Sequence, residues 1–249
     1  METLKSKQPE KENSKKRPFF LKRKYLRFRD KHSLTGKKGL QKLKNFQSGD
    51  IDGIWDFLSN NFYGQIMPQQ VEAEFKELLN FFVERAPNVI MEIGTMQGGT
   101  LFCFSKLAAD DALIISIDLP KAKYGGGYPK WKVPVYQSFK KTDQTMFLLR
   151  EDSHQDSTLE KLKNILNGRL IDFLLIDGDH SYEGVKKDFE MYSPLVRKGG
   201  IIALHDIAVH PPEANCNVSE FWAQITPPFL KELIQDKKQG WGGIGVLEK

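Results

Sequence analysis

Two carboxylates and an imidazole stand within four residues of one another at Asp177-Gly178-Asp179-His180, directly after the apolar run Ile171-Asp172-Phe173-Leu174-Leu175-Ile176. Carboxylates and an imidazole gathered at one point are costly to fold and are the groups that meet a ligand. A second ionisable pair, His205-Asp206, ends the apolar run Gly200-Ile201-Ile202-Ala203-Leu204. Each pattern reads as a buried strand that delivers charge to the mouth of a sheet. In open α/β sheets the ligand crevice lies outside the carboxyl ends of the strands. Charge placed there opposes folding and is retained for what it binds. A structural role stays open for one group, since His180, like Asp179, also suits the cap of a helix starting near Tyr182.

A third segment, Glu92-Ile93-Gly94-Thr95-Met96-Gln97-Gly98-Gly99-Thr100, joins an apolar strand to a helical pattern. Glycines there let the backbone turn tightly and approach a ligand, and free amides at the helix start offer donors. A dinucleotide fingerprint would place glycine at 96, where this chain has Met96, so a nicotinamide cofactor is disfavoured. Asp118 ends the next apolar run and suits the two hydroxyls of a ribose, with a loop or capping role as the alternative. Glu151-Asp152-Ser153 forms another polar cluster at the same edge; it suits an adenine amino group or an acidic solvent loop.

The elements that must position these groups alternate as strand and helix. Ile51, Ile54, Trp55, Leu58 and Phe62 recur at helical spacing, and a clearer helix follows Pro68 with Val71, Phe75, Leu78, Leu79, Phe82 and Val83 on one face. Strands are predicted at 88–93, 112–117, 146–149, 171–176 and 200–204, with helices at 100–109, 139–145, 157–166 and 182–192 between them. Two last strands, at 230–235 and 243–248, flank a turn at Gln239-Gly240. The glycine-rich loop from Lys121 to Trp131, with Tyr124 and Tyr128, reads either as a mobile cover for a substrate pocket or as a surface insertion. His210-Pro211-Pro212-Glu213 is placed to line an acceptor site.

The net charge of +5 conceals an asymmetry: residues 1–45 hold 16 Lys/Arg against 4 Asp/Glu, which leaves 21 against 28 in the other residues. The basic character thus belongs to the first 45 residues, read as a largely disordered tail, and the acidic remainder argues against a nucleic-acid enzyme. Residues 46–249 form one domain in this reading, with helices over 46–86 and an α/β core over 87–249. Within the tail, basic residues interleave with Phe19, Phe20, Tyr25 and Phe28, which suits an anionic membrane surface, a phosphate backbone, or packing on the chain's own domain or a partner subunit. Cys103 and Cys216 supply neither a bridge framework nor metal spacing, and no apolar run is long enough to cross a membrane or direct secretion, so a cytoplasmic protein is expected.

Together the Glu92–Thr100 turn, Asp118, Asp-Gly-Asp-His-Ser-Tyr-Glu-Gly-Val (177–185), Gly-Gly-Ile-Ile-Ala-Leu-His-Asp-Ile (199–207) and Val-Ser-Glu-Phe-Trp (218–222) resemble the class I S-adenosylmethionine-dependent methyltransferases. The likeness is to the branch with cephalosporin-hydroxylase-like proteins and macrolide-sugar O-methyltransferases, over roughly residues 65 to 249. It implies a Rossmann-like α/β sheet, mostly parallel with the last strand antiparallel, and helices on both faces. It also implies S-adenosyl-L-methionine as cofactor, held by Glu92, Gly94, Thr95, Gly98, Asp118, Asp152, Ser153 and Asp177. His180 falls where related enzymes carry their base. Metal-dependent members hold a divalent cation with acids that fall here on Asp177, His205 and Asp206; His205 departs from the family's carboxylate. Mg²⁺ is the expected ion, with Mn²⁺ or Fe²⁺ admitted by the imidazole.

The function implied is O-methylation of a hydroxyl on a small molecule, a sugar or a specialised metabolite. Two alternatives are kept: a nucleic-acid methyltransferase anchored by the basic tail, and a non-catalytic cofactor-binding protein. A homo-oligomer is left open.

Overall fold

The computed structural model describes residues 32–47, 50–121, 126–225 and 230–249. Seven strands form one sheet in the order β3-β2-β1-β4-β5-β7-β6. They are β1 (Val89–Ile93), β2 (Leu113–Ile117), β3 (Thr145–Leu149), β4 (Ile171–Ile176), β5 (Val196–His205), β6 (Leu230–Leu233) and β7 (Ile244–Glu248). The first five pair in parallel; β7 lies antiparallel between β5 and β6. This is the Rossmann-like sheet that the sequence resemblance implies.

Alternation along each strand divides the apolar side chains between two cores. Ile90, Ile114, Phe173, Leu175, Ile201 and Ala203 face one layer. Met91, Ile93, Ile115, Leu174, Ile176, Ile202 and Leu204 face the other. The central strands are buried on both faces, so they read as continuous apolar runs.

The first layer comprises α1 (Lys37–Asn45), α2 (Ile51–Asn60), α3 (Glu72–Arg85) and α4 (Gly99–Leu107). Asp50 starts α2 by accepting the Gly53 amide at 2.6 Å, and the left-handed Ala86 with Pro87 behind it ends α3. Phe82 of α3 sits 5.0 Å from both Phe104 and Phe173, joining α3, α4 and β4 through aromatic contact. Truncating it to alanine would cost about 3–5 kcal/mol of folding free energy. Phe75, Leu78 and Leu79 share that buried face, whereas Val83, placed on it by periodicity, is exposed.

The second layer comprises α6 (Asp156–Leu166), α7 (Tyr182–Tyr192) and α8 (Val218–Trp222), which bury Leu162, Val185, Tyr192, Phe221 and Trp222. Ser181 caps α7 by accepting the Gly184 amide at 3.1 Å.

Two expectations change. The helix predicted at 139–145 is instead α5 (Val133–Gln137), with Pro134 in its first turn. Phe139 lies past its end, buried edge-on against Phe102 at 5.1 Å, which produced an apolar signal without a helix. The basic segment does not stay off the domain through residue 45: Leu34 and Leu43 are fully buried, and Phe46 stacks on Phe57 at 4.0 Å. The apolar positions of α1 pack inward and leave its lysines facing out. Residues 1–31, to which the rest of the disordered-tail expectation refers, lie outside the described residues. Among the described residues no helix is long and apolar enough to cross a membrane.

Strand register decides what meets at the sheet's edge. Ile93 pairs with Ile117 and with Ile176, and Ile176 pairs with Leu204. Gly94, Asp118, Asp177 and His205 therefore emerge side by side, one residue beyond four paired ends.

Candidate active site

Gly94 leaves β1 at φ +94°, and a Cβ there would sit inside the Asp177 carbonyl group. Only glycine fits this approach. The backbones are tied as well, by Gly94 N–H to the Ile117 carbonyl at 2.9 Å and Asp177 N–H to the Ile93 carbonyl at 2.8 Å. Gly98, at φ +83°, is enforced as well, because a Cβ would lie 2.6 Å from the Tyr136 ring.

Between them the loop is held from two sides. Asp118 Oδ2 accepts the amides of Thr95 (3.0 Å) and Met96 (2.7 Å), and its Oδ1 accepts the Leu119 amide at 2.7 Å. Tyr136 donates its hydroxyl to the Met96 carbonyl at 2.7 Å. Thr95 and Ser116 share a hydroxyl hydrogen bond beneath the turn. Asp118 thus performs the loop role foreseen as the alternative, with lone pairs left for a further donor.

Glu92 lies under this turn, 1% exposed. Its Oε2 accepts the Thr100 hydroxyl at 2.8 Å, while its Oε1 is buried without a partner. Burial pushes its carboxyl up to about 8 against the pull of the Thr100 hydrogen bond. A buried, half-satisfied carboxyl behind a glycine turn is the donor-seeking group that an ammonium would satisfy. Further along the edge, Asp152 accepts the His154 amide and the Gln155 side-chain amide, both at 2.9 Å. Those bonds outweigh burial and hold its carboxyl below the usual range. Ser153 accepts the Tyr192 hydroxyl at its carbonyl, at 2.6 Å.

The ends of β4 and β5 gather the ionisable groups. His205 Nδ1 lies 3.2 Å from Asp177 Oδ1 and 3.3 Å from Asp206 Oδ1. His180 spans the same acids, its Nε2 3.3 Å from Asp177 Oδ1 and its Nδ1 3.1 Å from Asp206 Oδ2. Donor atoms of Asp177, His205 and Asp206 all lie within 4.8 Å of one another, as do those of His180, Asp206 and Cys216.

Burial alone would strip both imidazoles of their protons, but Asp177, aided by Asp206, reverses this: His180 rises to about 9 and His205 to about 10. In return the imidazoles hold Asp177 far below its ordinary value, overriding its burial. Without an ion, protons glue the carboxylates together. The set equally fits a divalent cation, since two anionic oxygens and neutral imidazole nitrogen converge within ligand reach.

Three members were not assigned to this cluster from sequence, and one of them is Cys216, read there as lacking metal spacing but brought by the fold within 4.8 Å of donor atoms of His180 and Asp206. Gln70, 8% exposed, donates to Asp177 Oδ2 at 2.9 Å from the loop before α3. That contact spans 107 residues, and no local pattern announces it. His210, expected to line an acceptor site, has Nδ1 2.8 Å from the Ala208 carbonyl and Nε2 3.3 Å from Asp206 Oδ1. Its spacing, four residues after Asp206, was the available signal. Of the loop 121–131, residues 122–125, Tyr124 among them, lie outside the described residues. Tyr128 is buried edge-on against Tyr136 at 4.9 Å and belongs to the core.

The chain is similar to known proteins in sequence and in fold. A family model described as a methyltransferase domain matches residues 91–207. The chain is 27% identical over 184 residues to an uncharacterized protein, R132, of Acanthamoeba polyphaga mimivirus, covering 74% of this chain and 75% of that protein. Among solved structures, an O-methyltransferase from Bacillus cereus in complex with SAH superposes with a TM-score of 0.51 at 16% identity, covering 84% of this chain and 96% of that one. Cofactor-bound Rv0187 from MTB superposes at 0.53 with 17% identity, over 89% and 94% of the two chains.

Proposed function

We propose that this chain, in which residues 91–207 match a family model described as a methyltransferase domain, is an S-adenosylmethionine-dependent methyltransferase that methylates a hydroxyl oxygen of a small molecule, a sugar or a specialised metabolite, beside a divalent cation held by Asp177, His205 and Asp206. One observation carries the reading: the glycine turn over the unpartnered Glu92 oxygen and the acid–imidazole cluster share an edge, where Gly94 packs on the Asp177 backbone. A methyl donor in the turn and an acceptor oxygen at the cluster would be neighbours.

In this reading Glu92 receives the ammonium of the cofactor's amino-acid portion, and Asp118 adds a ribose hydroxyl to the amides it already holds. Asp152 and Ser153 stand toward the adenine, and Gly94, Thr95 and Gly98 line the approach. S-adenosylmethionine supplies an activated methyl on a sulfonium. A divalent cation supplies acidification and orientation of the acceptor hydroxyl. The chain's own part is alignment, exclusion of water and removal of one proton. His180 takes that proton: with Asp177 and Asp206 committed to a cation, the charge that holds a proton on His180 is neutralised, and the ring returns toward its ordinary value. His210 and Gln70 fix the two carboxylates.

The test is calorimetry with S-adenosylhomocysteine, followed by methyl transfer to a panel of hydroxylated acceptors before and after exhaustive chelation. Binding, transfer, and loss of transfer on chelation with recovery on adding Mg²⁺ or Mn²⁺ are expected. Transfer that survives chelation removes the cation from the reading, and absence of cofactor binding removes the reading entirely.

A further inference from the structure

Away from the strand ends, a cleft of about 1430 Å³ lies between the end of α1, the end of α4 and the α5–β3 connection. Lys44, Lys106, Lys140 and Lys141 line it, against two aspartates, Asp110 and Asp143. Lys106 is the informative member. It is 6% exposed, its ammonium lies 5.3 Å above the Phe102 ring, and among the described residues it meets neither a carboxylate nor a carbonyl. Burial, together with the nearby charge of Lys141, pulls its ammonium down to about 8. Lys141 is already engaged with Asp110 at 2.9 Å, so it offers Lys106 repulsion and no counter-charge.

The Lys106 stem is buried while its ammonium reaches the cleft, where among the described residues no carboxylate pairs with it. An anion from outside the chain would supply the partner that the described residues do not. The lining states its class. The excess of two positive charges matches a phosphate monoester, which carries about two negative charges at neutral pH. Gln137, Ser138 and Thr142 add hydrogen-bonding groups, and Phe46, Val133 and Pro134 offer an apolar strip for the carbon portion of a ligand.

We infer that this cleft is a binding site for a small phosphate monoester, with Lys106 as its central anchor. The site does not depend on the methyl-transfer reading, because none of its residues belongs to the cluster at the strand ends.

Phenyl phosphate titrated into the full chain, followed by calorimetry and thermal melting, tests it. Binding and a raised Tm are expected. Lys106→Met, which keeps an unbranched stem over Phe102, should weaken binding by about 10- to 100-fold, the usual worth of a charge-assisted hydrogen bond. The same variant should melt no lower than the parent without ligand, which separates lost binding from misfolding. Lys106→Arg should retain binding, as should Lys38→Met outside the cleft. Vesicles containing phosphatidylinositol 4-phosphate distinguish the source: binding that phenyl phosphate displaces assigns a lipid headgroup, and its absence assigns a free ester. Failure of phenyl phosphate to bind, or equal affinity in Lys106→Met, overturns the inference.

Discussion

Glu92→Gln should make the protein more stable and a poorer cofactor binder. The folded-state carboxyl sits near 8 against an ordinary 4.5, so the folded chain holds the proton more tightly than the unfolded chain. The sign follows from linkage: stability is greatest below the unfolded value, falls as pH climbs from there toward 8, and is flat beyond. At pH 7 the loss built up over those 2.5 pH units is about 3 kcal/mol at 1.36 kcal/mol per unit. Glutamine keeps an oxygen for Thr100 and cannot ionise. Its amide, however, takes the place of the unpartnered Oε1 beside the Thr95 and Ser116 hydroxyls, which already bond each other, and that mismatch returns about 1–2 kcal/mol. The net expectation at pH 7 is a gain of about 1–2 kcal/mol, or roughly 2–8 °C in Tm for a chain of this size. At pH 4 the gain should vanish or reverse. Calorimetry with S-adenosylhomocysteine should then show affinity reduced by about 10- to 100-fold, the cost of losing one charge-assisted contact to the ammonium. A melting difference that does not vary between pH 4 and 8 would refute the account of Glu92 burial. Unchanged cofactor affinity would refute its assigned partner.

Three further outcomes are expected. Gly94→Ala places a Cβ in the Asp177 carbonyl at a positive φ, so it should cost about 2–5 kcal/mol from strain and overpacking together, read as a lowered denaturation midpoint. Asp177→Asn should reduce Mn²⁺ affinity by at least about tenfold, measured by competition with a fluorescent chelator, and Gln70→Ala should reduce it less, since a positioning bond alone is lost. In chelated protein, the raised values of His180 and His205 predict stability that is complete below about pH 6.5 and declines as pH rises through 9 to 10, a decline that a saturating cation should abolish.

Sequence patterning carried the sheet because its signals are local. An apolar run ending in Gly94, Asp118, Asp177 or His205 names both the strand and the residue that leaves it. Placement across the fold is not local. Gln70 reaches Asp177 only because the loop ahead of α3 passes over Gly99, where a Cβ would strike Met67 and Pro68. His210 joins Asp206 because Asp206 takes a left-handed turn at φ +64°, a conformation that an aspartate tolerates without advertising it. The failed helix at 139–145 has a similar origin. Phe139 is buried by packing against Tyr136 and Phe102 in a turn, and tertiary burial leaves the same apolar trace as a helical face. The lysines of α1 read as a solvated tail because their apolar companions, Leu34, Leu43 and Phe46, are too few to show a period before the chain is folded.

The Gly94–Asp177 approach also couples the two halves of the proposed site. The Asp177 amide is bonded to β1, its carbonyl packs on the cofactor turn, and its carboxylate is the acid shared by His180, His205 and Gln70. A cation that draws the Asp177 carboxylate into a fixed position therefore fixes the peptide on which Gly94 rests, and a cofactor that orders the Gly94 turn fixes the same peptide from the other side. Each ligand removes freedom that the other would otherwise have to remove. The coupling is reciprocal by thermodynamic necessity: whatever factor the cation adds to cofactor affinity, the cofactor adds to cation affinity. Acceptor binding alone would not produce this link, because it requires no common backbone; the equality of the two factors is thermodynamic, and the existence of the coupling follows from the contact between the ends of the paired strands β1 and β4.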